Sequence, residues 1–265
     1  MPKRKIARYG WIPDLPDQRD HLYAAPAAAL AALPPKVDLR SQCPKTVYDQ
    51  GHLGSCTANA IAAAMEFDLI KQNALDPMPE APFTPSRLFI YYNERAMEGT
   101  VNQDSGAQIR DGVKSVTKQG APEETLWPYS DANPGPFKKK PPASVYKAAA
   151  AHKVTSYQRV ARNLTQMKGC LADGYPFVLG FTVYDGFESE QVAKTGHLNM
   201  PGPEENVLGG HAVLAVGHDD STQRFIIRNS WGPKWGLAGY FTMPYAYLLD
   251  AYLSDDFWTI RVVAV

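Results

Sequence analysis

Asp49-Gln50-Gly51-His52-Leu53-Gly54-Ser55-Cys56-Thr57-Ala58-Asn59-Ala60 sets a cysteine where a glycine-containing loop runs into a strong helical pattern. Beyond Cys56 the apolar residues fall at Ala58, Ile61, Ala62, Met65 and Leu69, one face of a helix with a period of 3.6. Cys56 therefore belongs in the first turn of a buried helix. Unpaired backbone N–H groups and the positive end of the helix dipole meet there, and both favour a thiolate, the nucleophilic form of cysteine. A buried cysteine taken alone reads equally well as inert packing, so the decision rests on other parts of the chain.

Two later stretches supply it. Gly209-Gly210-His211-Ala212-Val213-Leu214-Ala215-Val216-Gly217 and Phe225-Ile226-Ile227-Arg228-Asn229-Ser230-Trp231-Gly232-Pro233-Lys234-Trp235-Gly236 each join an apolar strand to a polar residue near one end. They read as a hairpin turning within Asp219-Asp220-Ser221-Thr222-Gln223. Such a hairpin brings His211 and Asn229 side by side. A cysteine on a helix end, facing a histidine oriented by an amide, is a nucleophile–base–orienter triad. Singly, His211 reads as a core histidine, Asn229 as a turn residue and Gln50 as a surface amide. The ordered combination is what carries the chemistry.

Gln50-Gly51 with Gly54-Ser55-Cys56, His211-Ala212-Val213, and Asn229-Ser230-Trp231-Gly232 with Trp235-Gly236 resemble the papain family of cysteine proteases, in particular its bacterial, xylellain-like branch with a short N-terminal extension. The resemblance runs from about Pro35 to the C-terminus. It implies an α+β fold of two lobes, a helical one and a β-barrel-like one, with the cleft between them and Cys56 and His211 on opposite walls. It divides the chain into an extension, residues 1–35, and a catalytic domain, residues 36–265, with the lobes meeting near residue 145. By the same resemblance Cys56 is the nucleophile, His211 the acid/base and Asn229 its orienter. Gln50 and the Cys56 N–H hold the oxyanion. Trp231 shields the His211–Asn229 bond, and Trp235 lies on the leaving-group side. Ser105 and Gly106 form the wall that pairs with substrate backbone, Gly180 lies opposite the catalytic helix, and Ala212 borders the specificity pocket. Three positions depart from the family pattern: Leu53 stands where a disulfide cysteine is usual, Thr57 where an aromatic is usual, and Gly210 where Asp or Asn is frequent. The implied activity is thiol-dependent endopeptidase cleavage with an apolar side chain at the second position before the cut. The floor of that pocket is not identifiable in the sequence. Isopeptidase or transamidase chemistry on the same triad, and a papain-fold binding protein with a decayed site, are the alternatives.

The remainder of the chain narrows the field. Its 265 residues suffice for one large domain or two modest lobes. Basic and acidic residues balance at 27 each, so nothing points to nucleic acid or an anionic membrane as partner. No apolar run approaches a membrane span, and no apolar stretch of a secretory signal follows the basic start. A peptide or protein substrate, no cofactor, no metal and a monomeric state are expected. Cys43, Cys56 and Cys170 are few and scattered, which suits a reducing compartment or export by a non-classical route. Cys170 reads as core, and pairing of Cys43 with Cys170 stays open. Residues 1–35 show no periodicity. Tyr9-Gly10-Trp11-Ile12-Pro13 reads as extended or turning. The segment is either an arm wrapping the surface or a short inhibitory piece laid over the cleft and anchored by Tyr9 and Trp11.

Overall fold

The computed structural model describes residues 8–78, 81–132 and 135–264. In chain order the elements are α1 (Ala27–Ala31), β1 (Lys36–Asp38), α2 (Cys56–Leu75), α3 (Arg87–Glu98), α4 (Ile109–Gln119), α5 (Ala143–Ala149), β2 (Val154–Arg159), α6 (Leu164–Ala172), β3 (Phe177–Tyr184), α7 (Glu190–Thr195), β4 (Val207–Asp219), β5 (Arg224–Arg228), β6 (Tyr240–Pro244), α8 (Tyr245–Leu249) and β7 (Ser254–Val263). Helices α2, α3 and α4 pack together as one lobe, and the strands form the other.

The long helix α2 begins at Cys56, as its apolar pattern predicts. Its burial is wider than a single face, however: residues 56–65 are buried on every side. The reason is position. The helix has α3 and α4 against one flank and β4 and β7 against the other, and its run of alanines lets both flanks approach closely. Thr84-Pro85-Ser86 reads in the sequence as a helix entry, and Ser86 caps α3 by accepting from the Phe89 N–H at 3.2 Å.

The sheet is antiparallel, in the order β2-β7-β3-β4-β5-β6, with β1 added beside β4. Among the described residues β2 and β6 stay at opposite edges, so the β lobe is an open sheet rather than the expected barrel. The expected hairpin is present, with Leu214 opposite Arg228 and Asp219 opposite Arg224. Four short helices, α1, α5, α7 and α8, have no counterpart in the sequence reading. Five to seven residues are too few to display a helical period.

Cys43, Cys56 and Cys170 are all free and buried, so Cys43 and Cys170 do not pair.

Candidate active site

The start of α2 and the strand β4 bring the three sequence blocks together. Cys56 is the first residue of α2 and fully buried. His211 is buried on β4, and its Nε2 lies 2.8 Å from Asn229 Oδ1 at the end of β5. That bond occupies Nε2 and leaves the other nitrogen, Nδ1, to take a different partner. Nδ1 is buried and has no hydrogen-bond partner here. The Trp231 ring lies 5.3 Å from the His211 ring at 34°, roofing the imidazole and its bond to Asn229. Trp235 is packed behind Trp231, edge-on at 5.1 Å, among Phe187 and Phe241.

Gln50 is fully buried. Its side-chain oxygen accepts from the Ser230 hydroxyl at 2.8 Å, and its Nε2 donates one hydrogen to the Leu53 carbonyl at 2.9 Å. These two bonds hold the amide in one orientation and leave its second N–H for a further acceptor.

Each departure from the family pattern has a local counterpart. The loop before Cys56 is tied by carboxylates where a disulfide is usual. The Gly54 N–H donates to both oxygens of Asp104, at 3.0 and 3.2 Å. Tyr91 donates to the same carboxylate, and the Gly106 N–H donates to the Tyr91 hydroxyl at 3.3 Å. Asp131 accepts from the His52 N–H at 3.0 Å. Thr57 donates to Glu94 at 2.7 Å, and burial drives that fully enclosed carboxyl well above its ordinary range. At Gly210 a side chain would collide with the extension, since a Cβ there would lie 2.6 Å from the Trp11 carbonyl.

The extension itself fills the cleft. The Trp11 N–H donates to the Gly210 carbonyl at 2.8 Å on one wall. On the other, the Ala107 N–H donates to the Gly10 carbonyl at 2.8 Å and the Ile12 N–H to the Ala107 carbonyl at 3.0 Å, a parallel pairing. Gly106 permits this approach, because a Cβ there would lie 2.2 Å from the Gly10 carbonyl oxygen and its φ of +75° suits glycine. Ser105 turns away, towards the Thr100 hydroxyl at 2.9 Å. Tyr9 presents its ring edge-on to His211 at 5.9 Å and donates its hydroxyl to Glu188. Arg8 donates to the Asp104 carbonyl at 2.8 Å.

Trp11 inserts its indole over Gly180, which stands opposite Ala212 in register. The indole N–H donates to Asp256 Oδ2 at 2.9 Å. Beyond the cleft Asp14 caps the start of α4 through the Arg110 N–H and accepts from the Trp258 indole. Asp20 pairs with Arg110 and Arg159, and at the end of β2 the Tyr23 N–H donates to the Arg159 carbonyl while the Arg159 N–H donates to the His21 carbonyl, each at 2.8 Å.

Burial shifts both groups of the pair. Burial pushes the Cys56 thiol up to about 12, against lowering contributions from the backbone N–H groups of Ala212, Gly10 and Thr57. Burial pushes His211 down to about 4, partly offset by Asn229. Both groups are therefore neutral at pH 7 while the extension is docked. Glu94, Asp104 and Asp256 were missed from the sequence. Only Asp104, directly ahead of Ser105-Gly106, stood next to a stretch already singled out.

Cys56 at the head of α2 and the His211–Asn229 pair under Trp231 thus meet in one cleft. The papain family cysteine protease model matches residues 33–248. Xylellain, a cysteine protease from Xylella fastidiosa, superposes with a TM-score of 0.90 at 46% identity, over 99% of each chain. An uncharacterized peptidase C1-like protein of Acanthamoeba polyphaga mimivirus is 43% identical over 99% of this chain and 90% of its own length. The digestive procathepsin L 3 of Tenebrio molitor larval midgut shares the fold with a TM-score of 0.67 at 18% identity, over 93% of this chain and 75% of that one. The chain belongs to the papain family of cysteine proteases.

Proposed function

We propose that the protein is a thiol endopeptidase held latent by its own N-terminal extension. The observation that carries this reading is the cleft's content. An extended stretch of polypeptide lies across Cys56, held by main-chain hydrogen bonds to both walls. A groove that grips one segment through its backbone suits any peptide of extended conformation, as in strand addition.

In the working enzyme the Cys56 thiol gives its proton to His211 Nδ1, and the thiolate attacks the scissile carbonyl carbon. The oxyanion is held by the Cys56 N–H and the second N–H of Gln50. The imidazolium, fixed by Asn229, protonates the leaving amine as the C–N bond breaks, which leaves a thioester on Cys56. Water, deprotonated by His211, attacks the thioester, releasing the carboxylate and restoring the thiol. Residues 8–14 block the first step by occupying the cleft. They also dry the pair, which raises the thiol and lowers the imidazole.

The test is hydrolysis of an internally quenched peptide by the Trp11→Ala chain, in which the extension is released, alongside stoichiometric labelling by a thiol-directed peptidyl inhibitor. Cys56→Ala and His211→Ala should each abolish turnover, and the label should map to Cys56. Turnover that survives Cys56→Ala would overturn the mechanism.

A further inference from the structure

A chain of hydrogen bonds runs behind Cys56 from a buried arginine to the backbone of Gln50. It starts at Arg87, the first residue of α3. Glu124 accepts from two of its nitrogens, Nε at 2.8 Å and Nη2 at 2.6 Å, a fork that fixes the guanidinium plane. The guanidinium carbon lies 4.1 Å from the centre of the Tyr129 ring and 4.6 Å from that of Tyr48. The third nitrogen, Nη1, donates to Asn59 Oδ1 at 3.2 Å and to the Asp49 carbonyl at 3.4 Å.

The direction of every later bond is forced by the two ends. A guanidinium can only donate, so the Asn59 atom facing it is the oxygen and the amide nitrogen faces Ser55. Asn59 Nδ2 donates to the Ser55 carbonyl at 2.9 Å and to the Ser55 hydroxyl at 3.1 Å. At the far end the Gln50 carbonyl can only accept, so Tyr129 donates to it, at 2.8 Å. The proton between the Ser55 and Tyr129 hydroxyls, 2.6 Å apart, is therefore that of Ser55. Gln50, Ser55 and Asn59 are buried, and a one-way chain in such a dry setting strengthens bond by bond.

Both oxyanion donors hang on this chain. The Ser55 carbonyl and the Cys56 N–H belong to one planar peptide unit. Asn59 binds that carbonyl with its backbone N–H at 3.0 Å as well as with its side chain, which fixes the plane and so the direction of the Cys56 N–H. The Gln50 backbone is held by its N–H on the Ser230 carbonyl at 2.9 Å and by its carbonyl on Tyr129. Together with the side-chain bonds to Ser230 and Leu53, this engages every hydrogen-bonding group of Gln50 except the second amide hydrogen.

We propose that Arg87, Asn59 and Tyr129 are positioning residues for the reaction: they aim the Gln50 amide and the Cys56 N–H at the place where the oxyanion forms. The inference rests on the reading of the cleft as a peptidase site. Its physical cause is that donors stabilise a developing charge to the extent that they point at it beforehand.

The test uses the Trp11→Ala chain, with the cleft open. Tyr129→Phe keeps the ring beside Arg87 and removes the hydroxyl alone. It should lower kcat about tenfold with KM within about twofold, less than the roughly 10²- to 10³-fold that follows outright loss of an oxyanion donor. In the Gln50→Ala chain the same substitution should change kcat by less than about twofold, because the donor it aims is gone. Asn59→Ala should also cost about tenfold in kcat, and Asn59→Ser should return it to within about threefold, since a helical serine donates to the carbonyl four residues earlier, here that of Ser55. Alkylation of Cys56 by iodoacetamide displaces iodide and forms no oxyanion, so its rate should stay within about twofold in every variant. Protection of Cys43 and Cys170 reports that the fold is kept. An unchanged kcat in Tyr129→Phe, an equal loss with and without the Gln50 amide, or alkylation that falls in step with turnover overturns the assignment. If the Trp11→Ala chain is alkylated at Cys56 yet cuts no peptide, the peptidase reading itself fails and the positioning role falls with it.

Discussion

Replacing Trp11 by alanine should open the cleft without unfolding the chain. The indole is 9% exposed, and a released extension returns it to water. A buried tryptophan removes on the order of 200 Å² from solvent, worth about 5 kcal/mol at about 25 cal/mol per Å². The released segment retains some burial of its own, which trims the figure to about 3–4 kcal/mol. The hydrogen bond to Asp256 is exchanged for bonds to water and adds about 1 kcal/mol at most. A change of about 3–4 kcal/mol moves the closed–open equilibrium by roughly 10²- to 10³-fold. The assay is the rate of Cys56 alkylation under native conditions, where labelling requires opening. Cys43 and Cys170, free and buried elsewhere, serve as internal references. Cys56 should react about a hundredfold faster or more while the other two stay protected. An unchanged Cys56 rate would refute the role given to Trp11. Three cysteines labelling in step would show that the mutation unfolds the protein instead of releasing one segment.

Other consequences follow from the same contacts. Burial, and next the neighbouring Asp256, push the Asp14 carboxyl up to about 7, against lowering bonds from Arg110 and Trp258. The docked form therefore holds a proton that the released form gives up at its ordinary value near 4. The Asp14 contribution to docking should be full below about pH 4 and lost as the pH rises to about 7, while His211, lowered to about 4 in the docked form, opposes it as the pH falls from about 6.5 to about 4. Hydrogen exchange at residues 8–14 reads the sum, and Asp14→Asn should remove the first contribution, leaving docking that weakens as the pH falls below about 6.5. Gln50→Ala, assayed in the Trp11→Ala chain, should lower kcat by about 10²- to 10³-fold with a much smaller change in KM. Equal losses in substrate affinity would contradict an oxyanion role. Asp104→Asn keeps the shape of the side chain but cannot serve Gly54 and Tyr91 as a charged acceptor. It should destabilise the fold by about 1.5–3 kcal/mol, a melting shift of several degrees for a chain of this size. An unchanged melting temperature would show that Asp104 does not tie the nucleophile loop to the cleft wall.

The parts legible in the sequence were those encoded locally. Cys56 heads α2 because a glycine-bearing loop meets a helical apolar period, and the β4–β5 hairpin follows from two apolar runs with a turn between them. Ser86 announced α3 through its cap. Those signals lie within a few residues of the structure they specify, so composition and spacing suffice to read them. Family motifs then linked three such signals into one expected site.

What the sequence left open was decided by partners far apart in the chain. Whether residues 1–35 wrap the surface or enter the cleft depended on Gly180, Gly210, Ala107 and Asp256, which no local pattern connects to Trp11. The partner of the Trp11 indole stayed hidden because Asp256 reaches it from the last strand, 245 positions away. The free state of Cys43 and Cys170, and the tie of Asp104 to Gly54 in place of a disulfide, are likewise consequences of packing. A sequence read alone yields the helices, strands and reactive residue types, because these follow from short-range period and sterics. Which carboxylate ends up buried at the end of which pocket is a long-range outcome, fixed only once the sheet and α2 have closed around each other.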